Sequence, residues 1–126
     1  MKKLWLAVFL MAGLLAVSLL SAKQIRSTAE RVSEQLELAL QAGERLDAEA
    51  VARHTEKAAA LWEAQVPLLD ALTHHSEIDG VSGALRELSY YTGLRYPEEF
   101  LSRCAQLLHE LEHIRELSLP LPQNIL

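Results

Sequence analysis

The chain has 126 residues, 12 of them basic and 17 acidic, and a single cysteine. This length allows one domain, and a lone Cys104 can form neither an internal disulfide nor a cysteine-based zinc site. Lys2 and Lys3 precede every other charged residue. The rest of the chain therefore contains ten basic and 17 acidic residues. This acidic balance opposes binding to phosphate backbones, and we expect no nucleic-acid partner.

The first predicted element is an apolar segment from Leu4 to Leu20, LWLAVFLMAGLLAVSLL, which contains no charge. As a helix it would be about 25 Å long, close to the roughly 30 Å of a hydrocarbon core. A membrane anchor and a secretory signal peptide both fit this description. The small-residue pattern for cleavage is met only inside the apolar run, at residues 16–18, so we prefer an uncleaved transmembrane anchor over residues 1–22.

The charges that flank the apolar segment bear on its orientation. Lys2 and Lys3 favour a cytoplasmic N-terminus, whereas Lys23, Arg26 and Arg31 on the other side reduce the asymmetry. We therefore expect a single-pass protein of the cell membrane with an extracytoplasmic C-terminal domain.

Residues 22–117 have apolar positions three and four apart and few β-branched runs, which indicates helix throughout. The sequence predicts an all-α fold in which the transmembrane helix continues into an antiparallel bundle of about four helices, over residues 23–117. Gly43 is expected near the end of the first helix. The inward positions predicted for that helix are Ile25, Val32, Leu36, Ala39, Gly43 and Leu46.

The second helix is predicted to begin at Asp47 or a neighbour. Pro67 lies within it, and proline removes one hydrogen bond and clashes with the preceding turn, so a kink or a break is expected. The apolar phase is unbroken across Pro67, which favours the kink. The inward positions predicted here are Ala48, Val51, Thr55, Ala58, Trp62, Val66, Leu69 and Leu72.

The segment THHSEIDG, residues 73–80, interrupts the periodicity. Ser76 followed by Asp79 fits a capping arrangement at the start of a third helix. One interpretation of this corner is a helix end whose side chains orient the next helix. The other is an interaction surface, or a pH-responsive cluster in which His74 meets Glu77 or Asp79. The corner's candidate residues are His74, His75, Glu77 and Asp79.

A short third helix is predicted to turn Val81, Leu85, Leu88 and Tyr91 inward and to stop at Gly93. Pro97, followed by Glu98 and Glu99, predicts the start of a last helix that reaches about Glu116. The tail, residues 118–126, contains two prolines and is apolar. We expect it to dock on the bundle through Ile125 and Leu126.

The last helix contains His109-Glu110-Leu111-Glu112-His113, which matches the zinc-peptidase motif H-E-x-x-H. On a helical projection the apolar residues fall on one side, and His109 and His113 on the other, facing water. No third ligand follows at the usual spacing, and the same residues also match the inverted motif H-x-x-E-H. We therefore expect no catalytic residue and no cofactor, with His109 and His113 as weak candidates for adventitious metal binding.

Two stretches, LWEAQVPLLDALTHHSEIDGVSGALRELSYY and LLHELEHIRELSLPLPQNIL, resemble a family of small bacterial proteins, mainly from Firmicutes, called domain of unknown function 4363. The resemblance implies a single N-terminal membrane segment with a helical extracytoplasmic domain, and it implies no catalytic residues. It also makes His113-Ile114 the shared element of the last helix and His109-Glu110 incidental. The matching positions are Trp62, residues 75–79, Leu85, Leu88, His113-Ile114 and residues 124–126.

These expectations favour a non-enzymatic, membrane-anchored interaction module that associates with or regulates a multi-spanning membrane protein. Self-association through the helices is a further possible contact. The alternative is an exported metal-binding or pH-responsive sensor, and a metallopeptidase ranks last.

Overall fold

The computed structural model describes residues 1–72, 75–91 and 97–117. It contains four helices: α1 (Lys2–Glu44), α2 (Ala48–Leu72), α3 (His75–Tyr90) and α4 (Pro97–Leu117). No strand occurs within these described ranges. The prediction of an all-α bundle with a long N-terminal helix is confirmed.

The four helices form a ring in which each helix packs on two others. Helix α1 packs on α2 and α4, and α3 also packs on α2 and α4. Gln24 of α1 donates a hydrogen bond to Gln65 of α2 at 2.7 Å, and Gln35 lies 3.0 Å from His54 further along the same pair. Because one residue number rises as the other falls, α1 and α2 are antiparallel.

The core lies along the axis of this ring and receives side chains from all four helices. Trp62 of α2 and Phe100 of α4 are its two largest fully buried side chains. The indole Nε1 of Trp62 donates a hydrogen bond to Ser82 Oγ of α3 at 2.9 Å, so the ring is buried without an unpaired N–H. The inward position predicted for Trp62 is confirmed. The core residues are Ala29, Val32, Leu36, Ala39, Ala42, Ala50, Val51, Ala58, Trp62, Leu69, Ile78, Val81, Leu85, Leu88, Phe100, Cys104, Leu107, Leu111 and Ile114.

The turn between α1 and α2 corrects one predicted core position. Leu46 has a φ of 58° and is 67% exposed, although the apolar spacing predicted it to face inward. The Asp47 N–H donates to Ala42 O at 2.9 Å, and the Leu46 N–H to Gly43 O at 3.1 Å. These two bonds are a Schellman motif with Leu46 at the left-handed position after the helix, and the reversal of the backbone there turns its side chain outward.

Gly43 lies one residue before the end of α1, near the helix end as predicted. Its contribution to the fold is to packing. A Cβ at Gly43 would lie 3.1 Å from Leu101 Cδ2 and 3.4 Å from Phe100 Cδ1. The glycine therefore allows the first turn of α4 to approach α1 closely.

Helix α2 begins as predicted. Asp47 Oδ1 accepts a hydrogen bond from the Ala50 N–H at 3.2 Å, which is an N-cap contact. Ala48 is exposed rather than inward, because it opens the helix at the tip of the α1–α2 pair. The helix continues through Pro67 without a break, and the side chain of Leu72 lies outside the described part.

Helix α3 begins at His75, so Ser76 lies inside its first turn and the predicted cap before that turn is wrong. Val81, Leu85 and Leu88 are buried as predicted, and Ile78 joins them. Tyr91 is half-buried.

Helix α4 begins at Pro97 with Glu98 and Glu99 in its first turn, as predicted. Phe100, Cys104, Leu107, Leu111 and Ile114 face the core, and Leu108 at the edge of this face is half-buried. The expected stop at Gly93 and the expected docking of residues 118–126 lie outside the described residues.

Candidate functional site

The N-terminal half of α1 has no packing partner among the described residues. Every residue from 1 to 20 is exposed, whereas burial begins at Ser21 and is complete at Thr28 and Ala29. An 18-residue window of this helix has a mean hydropathy of 2.3, and the helix is long and apolar enough to cross a membrane. Length and composition therefore make α1 a candidate membrane span that also supplies one wall of the bundle.

The α1–α2 register gives the height of the rest of the bundle relative to the apolar segment. Gln24 pairs with Gln65, and Gln35 with His54, so both pairs belong to one antiparallel register. Moving three residues along α2 from Gln65 to Leu68 therefore moves three residues back along α1, from Gln24 to Ser21. The C-terminal end of α2 lies level with the end of the apolar run.

The corner between α2 and α3 stands at this same end of the bundle. His75 Nδ1 lies 3.2 Å from Asp70 Oδ1, and both side chains reach solvent. The structure thus pairs His75 with Asp70, which sequence reasoning missed, because the contact spans the break between two helices. Glu77 is half-buried and Asp79 is exposed. His74 lies outside the described residues, so its expected contact with Glu77 or Asp79 has no description.

Helix α4 presents its two histidines to solvent, as the helical projection predicted. His109 borders a groove of about 330 Å³ between α1 and α4, with Glu37, Glu112 and Arg115 along its walls. Among residues 1–72, 75–91 and 97–117, no three histidine, cysteine, aspartate or glutamate side chains meet as a metal site. A catalytic zinc requires three protein ligands and an open position, and the described part supplies no such set around His109 and His113.

A fourth histidine, His54, was not singled out from the sequence. Its Nδ1 lies 3.0 Å from Gln35 Oε1 across the α1–α2 contact. Partial burial lowers the pKa of His54 from its ordinary value of 6.5, and the nearby charges of Arg53, Lys57 and Arg45 lower it further, against an opposing effect of Asp47. The signal was available, since a histidine next to arginine and near lysine in sequence is expected to resist protonation.

Cys104 is a structural residue. Its Sγ–H donates to the carbonyl oxygen of Leu36 at 3.3 Å, and burial raises the pKa of the thiol to about 12. A thiol with this pKa is almost entirely protonated at neutral pH, and the thiolate is the nucleophilic form. Cys104 therefore joins α4 to α1 as a buried, protonated thiol.

A second groove, of about 300 Å³, separates α3 from α4. Gly80 and Gly83 form part of one wall, and a Cβ added at either glycine would meet no atom within 4 Å. Arg103 and Glu87 bridge the groove with an ion pair of 3.3 Å between their side chains. The groove has both polar and apolar residues in its walls and is open to solvent.

Comparison with known proteins identifies the family. Residues 19–125 match the family described as Domain of unknown function (DUF4363). The match covers most of the chain, which therefore belongs to this family, and the resemblance drawn from residues such as Trp62 and His113 is confirmed. The match begins at the end of the apolar run, and its description assigns no activity. No curated protein and no solved structure matches the chain at a significant level.

Proposed function

We propose that the protein is a single-pass, membrane-anchored helical module that binds another membrane protein and has no catalytic activity of its own. One observation carries the proposal: α1 is a single helix of 43 residues with two different surfaces. Its first 20 residues are exposed and apolar, and the part after Thr28 forms one wall of the core. The membrane span and the folded domain are thus parts of one continuous element.

Continuity of α1 has a mechanical consequence. No residue between Leu20 and Lys23 interrupts the helix, and Ser21 Oγ donates to Val17 O at 2.7 Å across this junction. Bundle and span therefore move together, because separating them would require breaking consecutive backbone hydrogen bonds. Such a rod suits a protein that holds a partner at a set height above the membrane.

The dispersal of polar groups supports a binding role. His54 lies on the α1–α2 contact, His75 at the α2–α3 corner and His109 on the outer face of α4. General acid–base and metal chemistry both require such groups to converge within hydrogen-bonding or coordination distance of one point. In the described part of the chain, His54, His75 and the α4 face that carries His109 and His113 lie on three separate surfaces.

The anchor itself offers a surface for a partner. Ala12, Gly13 and Ala16 fall within about 100° of one another around α1, so they form a shallow strip on an otherwise bulky helix. A Cβ at Gly13 would meet no atom within 4 Å, which leaves this strip open. Small residues let transmembrane helices approach closely, so we propose that the strip receives a helix of a multi-spanning membrane protein.

Orientation follows from the flanking charges. Lys2 and Lys3 immediately precede the span and favour a cytoplasmic N-terminus, while Lys23, Arg26 and Arg31 on the other side reduce the asymmetry. We accordingly propose that the bundle is extracytoplasmic.

The test uses the full chain and two matched substitutions in the anchor. Gly13→Ile fills the strip, and Leu15→Ile places the same residue about 160° away around the helix. Purification from gently solubilised membranes should recover a membrane protein with the wild type and with Leu15→Ile, and at least tenfold less with Gly13→Ile. Equal recovery with all three chains would contradict a partner at this strip. Recovery of a homodimer alone would replace the multi-spanning partner by self-association.

A further inference from the structure

We propose that the C-terminal end of α2 contacts the lipid bilayer beside the anchor. The surface concerned, called here the α2 foot, consists of Pro67, Leu68 and Ala71. The inference rests on the proposed anchoring and adds a second point at which the protein touches the membrane. The ligand is the interfacial zone of the bilayer, where lipid headgroups meet the acyl chains.

The first observation is the height of the foot. The pairs Gln24–Gln65 and Gln35–His54 place Leu68 level with Ser21 and Ala71 level with Ser18. Ser18 lies inside the apolar run, and Ser21 is the first residue after it. If Leu4 to Leu20 occupy the hydrocarbon core, the end of α2 reaches the boundary of that core.

The second observation is a change in the composition of the exposed face of α2 along its length. The exposed positions between residues 48 and 64 include five charged side chains, which are Glu49, Arg53, Glu56, Lys57 and Glu63. Between residues 67 and 71 the exposed positions are Pro67, Leu68 and Ala71, none of them charged, and the charged residue of this stretch, Asp70, is only partly exposed. The change occurs at the height where water would give way to lipid, as burial in an apolar medium requires.

The third observation is the shape of the foot. Its three residues fall within about 100° of one another around α2, on a single face. Leu68 is 43% exposed, whereas Leu61 and Leu69 of the same helix pack in or against the core. Asp70, the charged residue adjacent to the foot in sequence, is turned toward the start of α3, where its Oδ1 lies 3.2 Å from His75 Nδ1.

A lipid contact explains these features without a further protein. The foot lies at the depth set by the anchor, where an exposed apolar face gains by contact with lipid. A protein contact would not require the fully exposed charges of α2 to end with Glu63, before the level of Ser21.

The test compares two alanines on the same face of α2. Ala64 and Ala71 are both exposed and are seven residues apart, so they face the same direction at heights that differ by about 10 Å. Each is replaced by cysteine in the full chain and labelled with a small fluorophore. Leu14→Cys in the anchor serves as the positive control. The wild type serves as the unlabelled blank, since Cys104 is buried.

The labelled proteins are reconstituted in phosphatidylcholine vesicles that carry a nitroxide quencher on the lipid. We expect quenching at Ala71→Cys at least twofold stronger than at Ala64→Cys, and strongest at Leu14→Cys. Equal, weak quenching at the two α2 positions with strong quenching at Leu14→Cys would overturn the foot and leave the anchor intact. Weak quenching at Leu14→Cys would overturn the anchoring proposal itself.

A second copy of the chain could also cover the foot, and dilution separates this case from lipid. Lipid contact predicts that quenching at Ala71→Cys is unchanged when the protein-to-lipid ratio is lowered tenfold. Quenching at Ala71→Cys that appears only after dilution would assign the surface to a second copy and overturn the lipid contact.

Discussion

At the scale of single residues, Leu46 occupies a backbone position that favours glycine. Its φ of 58° is left-handed, and its side chain is mostly exposed, so it receives little packing in return for the strain. Leu46→Gly should raise the free energy of unfolding by about 1 kcal/mol, because glycine has no Cβ to clash in this region. Urea unfolding in mild detergent, followed by Trp62 fluorescence with Trp5 replaced by phenylalanine, measures the change.

The matched control for this prediction is Leu38, another exposed leucine, which lies inside α1 before its last turn. Glycine in a helix interior costs roughly 0.5 to 1 kcal/mol, so Leu38→Gly should destabilise the bundle. The two substitutions share the same chemistry and should have opposite signs. A loss of stability with Leu46→Gly would show that its left-handed conformation carries no strain.

Thr55 is a second residue whose environment in the fold is unfavourable. It is fully buried, and its Oγ1 has no hydrogen-bond partner among the described residues. A buried unpaired hydroxyl costs roughly 1 to 3 kcal/mol, so Thr55→Val, which keeps the shape, should stabilise the bundle by about 1 kcal/mol. Thr28→Val is the control, since Thr28 Oγ1 already donates to Gln24 O at 2.9 Å. If Thr28→Val raised the free energy of unfolding as much as Thr55→Val, the missing hydrogen bond of Thr55 would not explain the gain.

Periodicity identified most of the core residues one by one but missed those placed by turn geometry. Val32, Leu36 and Trp62 face inward because they repeat at helical spacing within long helices. Leu46 keeps the same spacing yet faces outward, since a Schellman turn reverses the backbone just before it. Because the left-handed position of such a turn usually holds glycine, the leucine found there did not indicate a turn.

At the scale of elements, the hydrogen bond from Trp62 to Ser82 joins α2 to α3. Trp62→Phe and Ser82→Ala each remove it, and a double-mutant cycle should give a coupling of about 1 kcal/mol between the two side chains. The alkylation rate of Cys104 is a suitable readout, because this buried thiol reacts only when the bundle opens. A coupling near zero would mean that the bond adds nothing beyond the packing of the indole ring.

The α1–α2 contact should also respond to pH through His54. Its pKa is below 6.5 in the folded state, so the unfolded chain binds more protons in the window just below that value. The free energy of unfolding should therefore fall as the pH drops below 6.5, towards the lower folded pKa. His54→Gln, whose amide can still reach Gln35, should flatten the curve between pH 7 and 5.5 when unfolding is measured at each pH. An unchanged slope would exclude His54 as the responsible group.

Helix starts were easier to predict than helix ends and connections. Pro97 and Asp47 begin helices through chemistry that is local in sequence, a proline without an N–H and a capping carboxylate. The pairing of His75 with Asp70 depends on how the end of α2 meets the start of α3. No spacing rule within a single helix predicts such a contact.

At the scale of the whole molecule, α1 determines the arrangement. It packs on α2 and α4 with its second half and leaves its first half bare, so the bundle is attached to the end of the apolar segment. The sequence predicted an apolar first half and a second half that packs in the bundle, and the absence of a helix breaker predicted that the two halves are continuous. The position of α2 along the apolar segment could not be predicted from periodicity. It follows from the antiparallel register, which two specific side-chain pairs define.

The central claim is that α1 passes from the bilayer into the bundle without a break, and cysteine labelling in intact cells tests it most directly. Leu14→Cys and Leu38→Cys lie on the same helix, and both leucines are exposed in the structure. With a membrane-impermeant maleimide, we predict that Leu38→Cys reacts rapidly and that Leu14→Cys stays protected until detergent is added. Equal labelling of both positions, or recovery of Leu38→Cys in a released chain that lacks residues 1–20, would contradict the claim.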